Sequence, residues 1–134
     1  MKMIEAVRAG GSKAAADQME PKMLAPDTLK AGGRVVRDLR TIMEACPPKT
    51  IENALLAMRD REDHTGDLPS IPVPTLIVVG EADAITPPAT AQAMQREIPN
   101  SQLEVIPGAG HLAPMEQPEH VSRAIRGFVE SVNA

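Results

Sequence analysis

The segment Pro74-Thr-Leu-Ile-Val-Val-Gly80 is the part of this chain that most clearly indicates its fold. It is a continuous apolar and largely β-branched run of strand length, with proline before it and glycine at its end. Such a run is typical of a strand that is buried on both faces, as in a parallel sheet. The segment therefore predicts an inner strand of an α/β protein, with a neighbouring strand on each side.

The residues after this strand continue an alternation of helix and strand. Pro87-Pro88 can begin a helix, because proline costs little in a first turn. A second strand is predicted at Gln102–Ile106 and a final helix from about Pro118 to Val132. The final helix carries an apolar stripe at Val121, Ile125, Phe128, Val129 and Val132. Strand, helix and strand of these lengths predict a right-handed βαβ unit.

The first half of the chain has a helical pattern broken by glycine and proline. We expect four short helices, three of them capped by Ser12, Asp27 and Thr50, with stops at Pro21 and Pro47-Pro48. Helices of this kind do not form a compact bundle by themselves. They are predicted to form a layer that covers another part of the protein.

The composition restricts the class of protein. The chain has 134 residues, 43% of them hydrophobic, which favours one globular domain. It contains one Phe, no Trp, no Tyr and 8 Met. Methionine packs adaptably and specifies shape poorly. We therefore expect a core that is loosely specified or completed by something outside the chain.

Charge, cysteine content and hydropathy exclude several functions. The net charge is -4 and no basic run occurs, so nucleic-acid binding has no electrostatic support. Cys46 is the single cysteine, which excludes an intrachain disulfide and a cysteine metal cluster. No apolar stretch approaches the ~20 residues of a membrane span, and no signal-peptide core is visible. We expect a soluble, cytoplasmic protein that does not bind membranes.

Two residues whose side chains could take part in catalysis follow the two predicted strands. Asp83 lies in the turn after the first strand, and His111 lies in a glycine-flanked turn after the second. The carboxyl ends of adjacent parallel strands meet at one edge, so the two side chains are expected side by side. Imidazole is suited to act as a base near neutral pH, and a buried carboxylate would orient it. The alternatives are an aspartate that only forms a turn and a histidine that bonds only to the backbone.

The blocks Ile71–Pro88 and Ile98–Pro118 resemble the α/β-hydrolase superfamily, in the style of its lactonase and esterase branch and of haloperoxidase-like members. The resemblance implies that Asp83 is the catalytic acid and His111 the catalytic base. Ala57–Asp60 is similar to the end of a family lid. The resemblance thus implies a helical lid at residues 1–67 and the C-terminal βαβα part of the core at residues 68–134. The predicted fold class is α/β: the C-terminal portion of an α/β-hydrolase sheet, with two parallel strands and flanking helices, preceded by the lid.

The sequence departs from that family at the nucleophile. No Gly-x-Ser-x-Gly elbow is present. The serines are Ser12, Ser70, Ser101, Ser122 and Ser131, and none follows a strand and precedes a helix in the predicted pattern. We expect a truncated hydrolase of esters or lactones that carries the Asp and His of a Ser-His-Asp triad. This mechanism requires no cofactor and no metal.

Two other functions stay open. A non-catalytic hydrolase remnant could form a homo-oligomer or bind a partner, such as a complementing N-terminal hydrolase portion, through an unpaired strand edge. A small enzyme that uses His111 without serine is disfavoured, because no candidate nucleophile is in a strand-turn-helix context.

The other polar residues have ordinary explanations. His64 is expected to be solvated within a hydrated charged link, whose acidic residues lack metal-ligand spacing; they include Asp60, Asp63 and Asp67. His120 is expected to be exposed, and Cys46 to be a small buried apolar residue.

Overall fold

The computed structural model describes residues 2–133. The helical segment comprises α1 (Lys2–Met23), α2 (Pro26–Ala31), α3 (Arg34–Ala45) and α4 (Pro48–Asp60). A 3-10 helix (Thr65–Ser70) leads into β1 (Thr75–Gly80), α5 (Pro88–Glu97), β2 (Ser101–Ile106), α6 (Ala113–Glu116) and α7 (Pro118–Val132).

The predicted α/β class is confirmed, because β1 and β2 form a two-stranded parallel sheet with flanking helices. The register places Thr75 opposite Ser101 and Gly80 opposite Ile106. Both strands begin within one residue of the predicted positions. The sheet therefore aligns the carboxyl ends of the two strands, and it is from these ends that the chain continues to Asp83 and His111.

Proline and glycine set the helix boundaries differently from the prediction. The expected caps at Asp27 and Thr50 are wrong, because α2 begins at Pro26 and α4 at Pro48, with no side-chain cap in either. The fixed φ of proline suits the first helical turn, so the helix starts there instead. The expected cap at Ser12 is also wrong, since its hydroxyl donates to the Cys46 carbonyl oxygen.

The first two predicted helices are joined, and the third is divided. Gly11 has a non-helical backbone (φ 64°, ψ −155°) and kinks α1, which continues past Pro21 to Met23. Gly32 and Gly33 both have positive φ and separate α2 from α3. Glycine adopts positive φ without steric cost, so the chain can leave the helical conformation at these two residues. The helix is therefore interrupted although the apolar spacing alone would allow it to continue.

The buried side chains include two groups. The helical segment buries Ile4, Val7, Ala15, Ala16 and Leu39. Under the sheet, Ile106, Ala109, Ala113 and Val121 cluster against Val78. Leu24 and Ala25, which connect α1 to α2, are also buried.

One edge of β1 is open. Among the described residues β1 pairs with β2 alone, and Leu76, Ile77 and Val78 are only half-buried. On α7, Val121 is buried but Ile125 and Val129 are 48% and 50% exposed. The second neighbour that the strand pattern predicts is therefore not among residues 2–133. None of the helices described there is long and apolar enough to cross a membrane.

Candidate active site

The carboxyl edge of the sheet brings the two predicted site residues together. β1 ends at Gly80 and leads into the turn that holds Asp83, whereas β2 ends at Ile106 and leads into the histidine loop, residues 107–112. The Nδ1 atom of His111 lies 2.9 Å from Oδ2 of Asp83. The expected proximity of the two side chains is thus observed.

A close approach between the histidine loop and the end of β1 makes this pair possible. A Cβ atom on Gly80 would overlap the carbonyl oxygens of Gly110 and Ala109. The amide of Ala82 donates to the Ala109 carbonyl at 2.9 Å, and the amide of Glu81 donates to Ile106 at 2.9 Å. The loop therefore packs directly against the end of β1, in space that any side chain larger than that of glycine would occupy.

Asp83 is held by its own turn. Its Oδ1 accepts hydrogen bonds from the amides of Ile85 (2.8 Å) and Thr86 (2.9 Å), and its Oδ2 accepts one from the Thr86 hydroxyl (3.0 Å). The residue is 6% exposed. Burial by itself raises the pKa of Asp83, but the hydrogen bonds from Thr86, His111 and Ile85 outweigh it and hold that pKa below its ordinary value. Asp83 is therefore ionised at neutral pH.

The hydrogen bond to Asp83 fixes the tautomer of His111. A carboxylate only accepts hydrogen bonds, so Nδ1 carries the proton and donates it. Nε2 is left as the acceptor of the neutral ring, and it has no hydrogen-bond partner among residues 2–133. Asp83 therefore orients the ring, and the His111 side chain as a whole is a third exposed. It can accept a proton from a group that approaches Nε2.

A groove runs from this pair along the open edge of β1. Its volume is about 510 Å³, with Asp83, Thr86 and His111 at the polar end. The remaining wall is mainly apolar, from β1 and from Ala91, Met94, Val121 and Ile125. A second groove of about 730 Å³ shares Thr86, Thr90 and Met94 and is otherwise lined by residues from Met58 to Leu68. The Asp83–His111 pair therefore adjoins open, largely apolar space and the end of the helical segment.

The other histidines and the cysteine do not join the pair. His64 lies in an exposed link, as expected, and contacts Asp67. The expected exposure of His120 is wrong, because its Nε2 lies 2.9 Å from Oε1 of Glu104 and the residue is half-buried. Cys46 is half-buried rather than buried.

No serine hydroxyl in the described part of the chain is hydrogen-bonded to His111. Ser12, Ser70, Ser101 and Ser131 each donate to a backbone carbonyl, and Ser122 lies on the exposed surface of α7. Nor do residues 2–133 bring together three or more His, Cys, Asp or Glu side chains in a way that could hold a metal ion.

Two residues that contact the pair or its loop were not predicted from the sequence. Thr86 lies three residues after Asp83 and donates hydrogen bonds to its carboxylate. The Asp-x-x-Thr spacing is a sequence signal that could have indicated this turn. Glu116 accepts a hydrogen bond from the amide of Gly110, the residue before His111. Its other partners, Ala25 and Thr28, lie in the first quarter of the chain, so no local pattern reveals them.

Curated relatives include enzymes that act on lactones and esters. The chain is 40% identical over 86 residues to 3-oxoadipate enol-lactonase 1 of Acinetobacter baylyi, covering 64% of this chain and 32% of that protein. It is 33% identical over 132 residues to a pimeloyl-[acyl-carrier protein] methyl ester esterase of Neisseria meningitidis, covering 98% of this chain and 50% of that protein. The chain thus spans about a third to a half of the length of these relatives.

Solved structures agree with this similarity. A thermophilic esterase from Thermogutta terrifontis superposes with a TM-score of 0.92 at 41% identity, covering 99% of this chain and 49% of the esterase. The enol-lactonase from Burkholderia xenovorans superposes with a TM-score of 0.88 at 20% identity, which shows a shared fold over 96% of this chain and 49% of that one. The model of the Alpha/beta hydrolase family matches residues 4–124. The chain therefore belongs to the alpha/beta hydrolase family.

Proposed function

We propose that this chain supplies the acid and the base of a Ser-His-Asp hydrolase of esters or lactones. Asp83 is the acid, His111 is the base, and the nucleophilic serine comes from a Gly-x-Ser-x-Gly elbow that is not among these 134 residues. The substrate is a small molecule with an ester or lactone carbonyl. The mechanism uses neither a cofactor nor a metal, and a cytoplasmic location stays a prediction.

The proton follows one path through His111. The serine hydroxyl attacks the carbonyl carbon and loses its proton to Nε2, while Asp83 stabilises the resulting imidazolium through Nδ1–H. The imidazolium then gives the proton to the departing alkoxide oxygen, which leaves as an alcohol or, from a lactone, as the other end of the opened ring. Water repeats the cycle on the acyl-enzyme and regenerates the serine.

The geometry of the pair is the observation that carries this proposal. A buried, ionised carboxylate lies 2.9 Å from Nδ1, and Nε2 has no hydrogen-bond partner among residues 2–133, so it is available to accept a proton as a general base does. A turn aspartate alone would not need its second oxygen aimed at an imidazole. The names of the relatives support the ester and lactone class.

We also propose the division into a lid at residues 1–67 and a C-terminal core part at residues 68–134. The helical segment contacts the histidine loop, since the amide of Leu112 donates to the carbonyl of Met23 at 3.1 Å. The second groove lies between α4, the link and α5, where a lid would border a substrate. The proposed boundary falls inside the 3-10 helix Thr65–Ser70.

A chimeric enzyme tests the proposal. The portion of the Thermogutta terrifontis esterase that this chain matches is replaced by this chain, so that the esterase contributes its remaining half. We expect hydrolysis of a short acyl p-nitrophenyl ester, and we expect His111→Ala to reduce kcat by at least as much as loss of the acid does, roughly 10⁴-fold or more.

The matched control is His120→Ala, which removes the other half-buried histidine–carboxylate pair and should keep the activity. A folded chimera that hydrolyses no ester or lactone, or one whose activity survives His111→Ala, contradicts the proposal. Unfolded chimeras are recognised by circular dichroism and are set aside in favour of the two halves refolded together as separate chains.

A second candidate function is association through the open edge of β1. Leu76, Ile77 and Val78 are half-buried apolar residues on a strand with a free edge, and Ile125, which is 48% exposed, lines the groove along that edge. Such an edge can pair with a second copy of the chain or with a complementing hydrolase portion. Light scattering decides the first case: a monomer at micromolar concentration argues against self-association.

A further inference from the structure

We propose that Glu116 is a positioning residue for His111, which couples the orientation of the base to the α1–α2 connection. The inference rests on the proposed role of His111 as the base, but it concerns a residue that the proposed mechanism does not use. Glu116 lies at the end of α6, five residues after the histidine.

The carboxylate of Glu116 joins two segments that are far apart in sequence. Its Oε2 accepts a hydrogen bond from the amide of Gly110 at 2.6 Å. Its Oε1 accepts hydrogen bonds from the amide of Ala25 at 2.8 Å and from the Thr28 hydroxyl at 2.7 Å. Both oxygens are therefore used, and hydrogen bonds to a charged acceptor are stronger than neutral ones.

The backbone around these contacts leaves little room for another arrangement. A Cβ atom on Gly110 would lie 2.6 Å from the amide nitrogen of Ala25 and 2.6 Å from the carbonyl carbon of Leu24. On the other side of the histidine, the amide of Leu112 donates to the carbonyl of Met23 at 3.1 Å. Both neighbours of His111 are thus fixed to the connection between α1 and α2.

These contacts complement the hydrogen bond from His111 to Asp83. That bond sets the direction of the ring, whereas Glu116 sets the position of the backbone from which the ring projects. A shift of a few tenths of an ångström in this loop changes the distance between Nδ1 and Oδ2. A hydrolase base must be held within narrow limits of its productive geometry, so residues that fix its backbone affect the chemistry without contacting the substrate.

The test uses the 134-residue chain and does not depend on hydrolysis. Glu116→Gln keeps the size of the side chain but leaves one oxygen for two backbone amides. We expect the amide of Gly110 or Ala25 to exchange with deuterium roughly tenfold faster, since one strong acceptor is lost. We also expect the downfield nuclear magnetic resonance signal of the His111 Nδ1–H proton to shift or broaden as its bond to Asp83 weakens.

The matched control is Glu52→Gln. Glu52 is likewise a partly buried carboxylate that accepts several hydrogen bonds, from Arg8 and Lys49, but it lies within the helical segment. It should leave the His111 signal in place. A His111 signal that is unchanged in a folded Glu116→Gln variant, or that moves equally in Glu52→Gln, overturns the proposal.

A milder variant decides the matter if Glu116→Gln does not fold. Thr28→Val removes one donor and keeps the carboxylate with both amide bonds. A smaller shift of the same His111 signal supports the coupling, and a signal identical to that of the parent chain overturns it. The outcome is independent of the chimera: an inactive chimera counts against the hydrolase proposal, whereas an unmoved His111 signal counts only against the role of Glu116.

Discussion

The carboxyl end of β1 is held by many contacts within this chain, whereas its open edge has few. At the end, buried Gly80 accommodates the histidine loop, and Asp83 receives hydrogen bonds on both carboxylate oxygens. Along the edge, apolar residues such as Ile77 stay half-buried. Contacts within the chain therefore fix the Asp83–His111 pair, whereas the described residues supply only part of the sheet around it.

At the carboxyl end of β1, the greatest loss of activity is expected from a substitution at Asp83. In the chimera, Asp83→Asn should lower kcat by about 10⁴-fold, the scale known for the same change in a serine protease triad. The amide group of asparagine would donate to Nδ1 and leave the proton on Nε2, which then cannot accept the serine proton. Ester hydrolysis under saturating substrate measures the change.

Glu104→Gln provides the comparison for this variant. It alters the carboxylate of the other histidine pair, 2.9 Å from Nε2 of His120, and should leave kcat within a factor of about two. Similar losses in both variants would mean that Asp83 acts through general stability, not through the tautomer of His111.

The next effect concerns stability at the same end. Gly80→Ala should lower the free energy of unfolding by about 3 kcal/mol, because its Cβ overlaps two backbone carbonyl oxygens that cannot move without displacing the histidine loop. Urea unfolding of the chain measures this. Gly127→Ala is the control: its Cβ meets open space in the middle of α7, so it should stabilise by up to about 1 kcal/mol. Equal effects would contradict the close packing at Gly80.

The features that could be predicted from the sequence are the local ones near the carboxyl ends of the strands. The strands and the Asp83–His111 proximity could be predicted, because strand period, proline and glycine act over a few residues. The caps at Asp27 and Thr50 failed for a local reason as well, since a neighbouring proline takes the first helical position. Better weighting of proline would correct both.

Long-range contacts could not be predicted from the sequence. Nothing near Glu116 indicates that Ala25 and Thr28 donate to it, because the pairing depends on how α1 and α2 pack on the histidine loop. The pairing of His120 with Glu104 was missed for a similar reason, as it joins α7 to β2. The apolar pattern of Leu76–Val79 predicts a strand that is covered on both sides, but it does not identify the residues that cover it.

A smaller effect follows from the acidity of Asp83. Its pKa is lower in the folded state than its ordinary value, so its ionised form favours the native state. This contribution is complete above the unfolded pKa of about 3.9 and is lost as the pH falls through the lower folded value. The difference in unfolding free energy between the parent chain and Asp83→Asn should therefore be constant above about pH 5 and shrink below it. A difference that grows towards acid would reverse the sign of the argument.

The effect expected at the open edge is smaller than that at Gly80. The double variant Ile125→Glu and Val129→Glu should lower the unfolding free energy by about 1–2 kcal/mol, because each side chain is about half exposed on α7 and loses only part of an apolar contact. Val121→Glu, on the same stripe but 6% exposed, should unfold the chain, since it would bury a charge among apolar atoms. If the edge region mediates self-association, the double variant also shifts light scattering towards the monomer. A large loss of stability in the double variant would mean that this face is already packed within the chain, and the contrast between the two sides of β1 would disappear.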